Sequence, residues 1–348
     1  MASRVYLDWN ATAPLRSEAR AAMIAAMDVI GNPSSVHAEG RAARALVEKA
    51  RAQVSAALGA DGAEVVFTSG ASEAAALACA GRGLAAGNIE HDSVAAWVDP
   101  RLPVDEHGKV LVSDPEKTAL QLANSETGVI QDLPQRVAVC DMTQGFGKLP
   151  FAFNWLGCDM ALVSAHKIGG PKGIGALVIR PGSEVEARIR GGGQEGGRRA
   201  GTENIVGIAG FGAAAAAAAR DLSCGKWLEI EQFRNILENT IEAGAKETIF
   251  VGKAARRLPN TSCFATPGWK GETQVMQMDL AGFAVSAGAA CSSGKLRASR
   301  VLGAMGLGEE AAASAIRVSL GLGTTEEDVK RFAEAWLSAA EKFRARVG

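Results

Sequence analysis

The chain has almost no net charge: 37 lysines and arginines stand against 38 aspartates and glutamates, a formal balance of −1 over 348 residues. That balance removes any global electrostatic reason to bind nucleic acid or an anionic membrane. It also lacks a long hydrophobic run, since the longest apolar tract, 205–219, is interrupted by glycines and too short to span a bilayer. The opening Met1-Ala2-Ser3-Arg4-Val5-Tyr6-Leu7-Asp8 has neither the apolar core of a secretory signal nor the Arg/Ser-rich character of a transit peptide, so a soluble cytoplasmic protein is expected. No close pair among the six cysteines (Cys79, Cys140, Cys158, Cys224, Cys263, Cys291) has zinc-ligand spacing, so no metal centre is expected, and a chain of this length needs no disulfide staples.

What is present is ordinary globular material, 47% hydrophobic and 22% charged, long enough for one large and one smaller domain. The spacing of Ala42, Leu46, Ala50 and Val54 among Arg, Glu and Lys predicts an amphipathic helix over 38–58, stopped by Gly59. A shorter helix is predicted over 17–27. Strand-like segments recur at 5–10, 64–68, 110–112, 120–123, 137–141, 159–163 and 176–179, with a helical stretch over roughly 205–245 and a last helix from 325 to about 344. Strands alternating with helices predict an α/β fold with a mostly parallel sheet covered on both faces, and ligand groups at the carboxyl ends of the strands.

Several motifs lie at those ends. Ser69-Gly70-Ala71-Ser72-Glu73 joins a strand to a helix, the arrangement that offers backbone N–H groups and a positive helix end to a phosphate, although Ser72 reads equally well as a plain N-cap. Asn124 and Asp141 follow apolar runs. Lys167, in Ser164-Ala165-His166-Lys167-Ile168-Gly169-Gly170, sits on a glycine-rich turn between two predicted buried strands. Desolvation there lowers a lysine's pKa toward the range in which the neutral amine attacks a carbonyl and forms a Schiff base, though a solvated turn lysine is the alternative on these residues alone. A polar glycine-rich loop spans 191–204, and Cys291 stands out among the cysteines for its small-residue neighbours, Ala287-Gly288-Ala289-Ala290 before and Ser292-Ser293-Gly294 after.

Together, the Lys167 turn, the Asp141 segment, the 191–204 loop and the Cys291 loop resemble the cysteine desulfurases, NifS/IscS type, of the class V aminotransferase family, in the family's order and over nearly the whole length. The resemblance implies a fold-type I enzyme of pyridoxal 5'-phosphate: a large cofactor-binding domain (16–250) with a mostly parallel, seven-stranded-type sheet between helices, and a smaller α/β C-terminal domain (251–348) joined by the N-terminal segment 1–15. It implies that Lys167 holds the cofactor, that Asp141 pairs with the pyridine nitrogen and Gln144 with the ring oxygen, and that His91 stacks on the ring. Ala71, Ser72, Ser125, Ser164 and His166 complete the cofactor site, and Thr202 reaches the phosphate of a neighbouring subunit, so a homodimer is implied. Arg317 would clamp the substrate carboxylate with Asn32 nearby. Cys291 would take sulfur from L-cysteine as a persulfide, leave L-alanine, and pass the sulfur to an acceptor protein in iron–sulfur cluster or other sulfur-transfer biosynthesis.

The chain departs from the family pattern at Ser125 (usually a second asparagine), at Gly196-Gly197 (usually Arg-Gly) and at Ala13 (usually a second threonine), and it is shorter around 87–89 and 133–136. Selenocysteine lyase or another class V reaction on the same scaffold is the competing expectation, with a shortened, non-catalytic dimeric paralogue as the other.

Overall fold

The structure is a computed structural model that describes residues 4–288 and 298–347. In chain order its first half runs β1 (Val5–Tyr6), α1 (Ser17–Met27), α2 (Ala38–Leu58), β2 (Glu64–Thr68), α3 (Ala71–Cys79), β3 (Ala85–Gly87), α4 (Asp92–Ala95), β4 (Asp99–Leu102), β5 (Ala119–Gln121), β6 (Val139–Asp141), α5 (Phe153–Leu156), β7 (Met160–Ser164) and β8 (Gly175–Ile179). The second half adds α6 (Ile205–Ser223), α7 (Lys226–Gly244), β9 (Ile249–Phe250), β10 (Thr261–Ala265), α8 (Gly271–Leu280), β11 (Phe283–Ala284), β12 (Ser286–Ala287), α9 (Arg300–Ala304), α10 (Glu309–Ala313), β13 (Ala315–Ser319) and α11 (Glu326–Val347).

The large sheet has the order β2-β8-β7-β6-β5, with β5, β6 and β7 parallel and β8 antiparallel to both of its neighbours. A single parallel bridge, Ala85 to Thr118, attaches the β3–β4 pair to the β5 side. The order β4-β3-β5-β6-β7-β8-β2 therefore gives seven strands among the described residues, six running one way and β8 reversed, as expected from the sequence.

Alternation along each strand explains why both faces are covered. Val65, Phe67, Cys140, Ala161, Val163, Ala176 and Val178 pack with Val47 and Val54 of α2 and Phe211 and Ala214 of α6. The intervening Val66, Val139, Met160, Leu162, Leu177 and Ile179 pack on the other face with Ala74, Leu77 and Ala78 of α3. The alanine- and glycine-rich sequence of α6 follows from close helix approach: a Cβ on Gly212 would lie 2.6 Å from Ala50 Cα. The helix runs past the 205–219 tract to Ser223, so α6, contrary to the expectation from that shorter run, could cross a membrane by length and composition, but more than half of its apolar window is buried inside this fold.

The helix expected over 205–245 is two helices. Gly225 breaks it at φ 72°, a left-handed conformation that glycine adopts without strain. Downstream, α7 turns Trp227, Ile230, Leu237 and Ile241 into a second core with Phe264, Trp269, Phe332 and Trp336 around the antiparallel sheet β12-β13-β10-β9. So α7, expected on the large-domain side of residue 250, packs its apolar face into the smaller unit. The N-terminal segment belongs to the same core, since β1 pairs parallel with β11 and Val5 and Leu7 are buried there.

The run 110–112 does not form the expected strand. Val110 makes only an isolated bridge to Val104, because Asp105 Oδ1 accepts from His107 N and Lys109 N to make a tight turn, and Val110 N donates to the Gln131 side chain.

Candidate active site

The carboxyl ends of the parallel strands converge on a cavity of about 520 Å³, lined among others by Ser69, Ala71, Ser72, His91, Ser125, Asp141, Thr143, Gln144, Ser164, His166, Lys167 and Lys172. Each group arrives on a separate element. From β2 the chain enters α3 through Ser69-Gly70, leaving Ala71 and Ser72 in the first helical turn rather than at the cap, which is Gly70. Asp141 is the last residue of β6 and Ser164 the last of β7.

His91 follows almost directly from β3. The intervening residues are stitched to the end of β5: Gln121 Nε2 and Asn124 Nδ2 both donate to Ile89 O, at 3.0 and 3.1 Å, while Arg300 clamps Asn88 Oδ1 and Glu90 O. The shortened 87–89 segment thus still delivers a histidine to the cavity, where His91 caps α4 by accepting from Ser93 N.

Lys167 lies on a short 3₁₀ turn between β7 and β8, and its Nζ donates to Asn10 O at 2.7 Å and Ala11 O at 2.9 Å. Burial, and then the Arg317 charge, push its amine down to about 8, while Asp141 and Asp8 oppose the shift. Burial likewise drives His166 down to about 4, so its ring is neutral at physiological pH, within 3.2 Å of Thr12 Oγ1. Asp141 Oδ1 accepts from Thr143 N, and the Thr143 hydroxyl is a buried orphan on the cavity wall. An activatable amine, a carboxylate, a histidine face, a free hydroxyl and a helix start carrying serine hydroxyls suit an aldehyde cofactor with a ring nitrogen and a phosphate.

Arg317 projects from β13 and is nearly buried; it donates from Nη2 to Asp8 Oδ1 at 2.7 Å and from Nη1 to Ser125 O at 3.1 Å, with Nε left without a partner. Ser125, where the family pattern has asparagine, therefore serves through its backbone carbonyl as well as lining the cavity.

Three expected residues do not line this cavity: Arg317 stands beside it through its bond to Ser125 O, and two others lie on the surface. Thr202 is exposed on the glycine-rich loop, and Asn32 is exposed with its Oδ1 accepting from Ser34 N. Cys291 lies outside the described residues. The glycine-rich loop itself is anchored by Glu195, whose carboxylate takes both Arg51 Nη atoms, at 2.8 and 3.0 Å, and Phe67 N.

Comparison with known proteins places this geometry. The aminotransferase class-V family model matches residues 5–332. The chain belongs to the class V aminotransferase family. Within it, the chain is 35% identical to the cysteine desulfurase IscS of Dictyoglomus turgidum, over 99% of this chain and 96% of that protein. The solved structure of a NifS-like protein from Rickettsia africae superposes with a TM-score of 0.88 at 31% identity, covering 97% of this chain and 99% of that one. That of SspA in complex with cysteine superposes with a TM-score of 0.74 at 27% identity, covering 91% and 98%.

Three buried polar residues that bond to or adjoin residues of the cavity wall were not legible in the sequence. Asn10 is buried and bonds to partners up to 309 positions away, so no local signal reveals it. Lys148, four residues after Gln144 in a run of turns, donates to that side chain's Oε1 at 2.9 Å, a contact that no regular periodicity announces. Glu90, fully buried beside His91, is pushed up to about 8 chiefly by burial, with Asp141 adding to the rise, so its carboxyl is neutral near pH 7.

Proposed function

We propose that the protein is a pyridoxal phosphate-dependent cysteine desulfurase, which converts L-cysteine to L-alanine and takes the sulfur onto Cys291. The observation that carries this reading is the Lys167 amine, held at a strand end with its pKa depressed to about 8, in a cavity that also gathers Asp141, His91 and Gln144. Lys167 would hold the cofactor, Asp141 its ring nitrogen, Gln144 its ring oxygen and His91 its ring face. Ser72, Ser164 and His166, with the start of α3, would hold the phosphate, and Thr202 of a second copy would complete that set in a homodimer.

When bound, the cofactor supplies an electron sink for the carbon next to the substrate's amino group. The protein's own residues do the rest. With a value near 8, Lys167 Nζ can both hold and release a proton near neutral pH. Arg317 meets the substrate carboxylate with a planar guanidinium, moving from its resting contacts to Asp8 and Ser125. The Cys291 thiolate attacks the substrate sulfur: the substrate carbon–sulfur bond breaks, a sulfur–sulfur bond forms on Cys291, and a proton replaces sulfur on the carbon, giving alanine and a persulfide that an acceptor protein can remove.

The test is to incubate the purified protein with L-cysteine and a thiol reductant and to quantify alanine and sulfide. Equal yields of the two are expected from the wild type, while Lys167→Ala should lose both products and the visible absorbance of the bound cofactor. A Lys167→Ala protein with the parent spectrum would overturn the assignment.

A further inference from the structure

Behind the cavity wall lies a second buried amine that the proposed reaction does not use. Lys148 is 4% exposed, and its Nζ has two acceptors, Gln144 Oε1 at 2.9 Å and Asn10 Oδ1 at 3.4 Å. Among the described residues no carboxylate pairs with it, and the charges that bear on it are the cations Lys167 and Arg317. Asp8 is engaged by Arg317, and Asp141 by Thr143 N. A buried ammonium in such surroundings is costly. Burial, reinforced by those two cations, pushes Lys148 down to about 7, and the two N–H bonds of a neutral amine match its two acceptors.

The amine's effect falls on Gln144. Lys148 Nζ donates to Gln144 Oε1 while Asn10 O, which can only accept, takes Gln144 Nε2, so the two contacts together set which end of the carboxamide faces which way. Nε2 lies 3.0 Å from Asn10 O, the same atom that accepts from Lys167 Nζ at 2.7 Å, and Gln144 lines the cavity. We propose that Lys148 is a positioning residue that fixes the Gln144 carboxamide with its NH₂ toward the cavity, so that the bound cofactor's ring oxygen meets a donor and is favoured in its anionic form. This rests on the cofactor reading above and assigns to Lys148 a role that neither the sequence motifs nor that reading gave it.

The test is the pH titration of the visible band of the cofactor-loaded protein, with the thermal unfolding of each variant as a separate readout. Losing the oriented donor to an anionic oxygen should raise the band's pH midpoint by about one to two units in Lys148→Met. Gln144→Ala should shift it similarly, and the double variant should match Gln144→Ala alone, because Lys148 acts only through Gln144. A Lys148→Met protein with the parent midpoint and lowered thermal stability would make Lys148 a structural filler and overturn the proposal, as would shifts that add in the double variant. Should Lys148→Met not fold, Lys148→Arg is compared with and without Gln144→Ala: a shift seen only when Gln144 is present supports the proposal, and an equal shift in both backgrounds refutes it. Absence of the band from the wild type would instead remove the cofactor reading itself.

Discussion

Replacing Glu90 by glutamine should stabilise the protein increasingly as pH rises. Glu90 is 1% exposed; its Oε1 accepts from Gln121 N at 3.0 Å, and its Oε2 has no partner. Burial raises its carboxyl from 4.5 to about 8, Asp141 raises it further, and the Gln121 N–H and Arg300 offset only part of the rise. Between those two values the folded chain keeps a proton that the unfolded chain releases, so this group's contribution is fully present below pH 4.5 and is lost as pH climbs through 8. From 4.5 to 7 is 2.5 pH units at roughly 1.36 kcal/mol each, a loss of about 3 kcal/mol, with about 1 more by pH 8. Glutamine does not titrate and has nearly the same shape. Its own hydrogen-bond mismatch at this site is independent of pH, so only the change in the gap between variant and wild type is read. Urea unfolding of both proteins at about pH 4.5, 7 and 8 measures that gap, because every other titrating group is common to the two. A gap that stays constant across the window, or narrows as pH rises, would refute the claim that Glu90 is buried and neutral.

Other consequences are equally direct. Glu195→Ala removes two of the Arg51 contacts, leaving those to Val65 O and Glu48, and takes the acceptor from Phe67 N, so unfolding free energy should fall by about 1 to 3 kcal/mol, read from the urea midpoint. Arg317→Lys keeps the charge and loses the planar fork, so KM for cysteine should rise at least tenfold, about 1.4 kcal/mol, with a smaller effect on kcat. If Thr202 serves a second copy, sedimentation should give a dimer, and Thr202→Ala should weaken cofactor retention without dissociating it.

What the sequence revealed follows from the range of the interactions involved. The helix over Ala38–Leu58 and its stop at Gly59 were legible because apolar spacing and a left-handed glycine are local properties. The strand–turn–strand around Lys167 was legible for the same reason, as five-residue buried runs flank it. Asn10 was not, because its partners Thr261, Asn260 and Ser319 lie more than 240 positions away and only tertiary structure brings them together. The run 110–112 has strand composition, but side-chain bonds from Asp105 and Gln131 satisfy its neighbourhood instead of a ladder. Thr202 and Asn32 carried family motif positions yet are exposed and do not line the cavity of their own chain, because the loops that bear them are placed by tertiary packing and not by their local motif.

Following sulfur from L-cysteine by mass spectrometry, in the wild type and in Cys291→Ser, tests whether Cys291 is the sulfur acceptor. The wild type should gain one sulfur atom on the peptide containing Cys291, together with one alanine per site, before any reductant is added. Cys291→Ser should keep the visible cofactor band, gain no sulfur on any peptide, and release sulfide only at background. A Cys291→Ser protein that releases sulfide at the parent rate, or a wild type that carries the added sulfur on a different cysteine, would contradict that role.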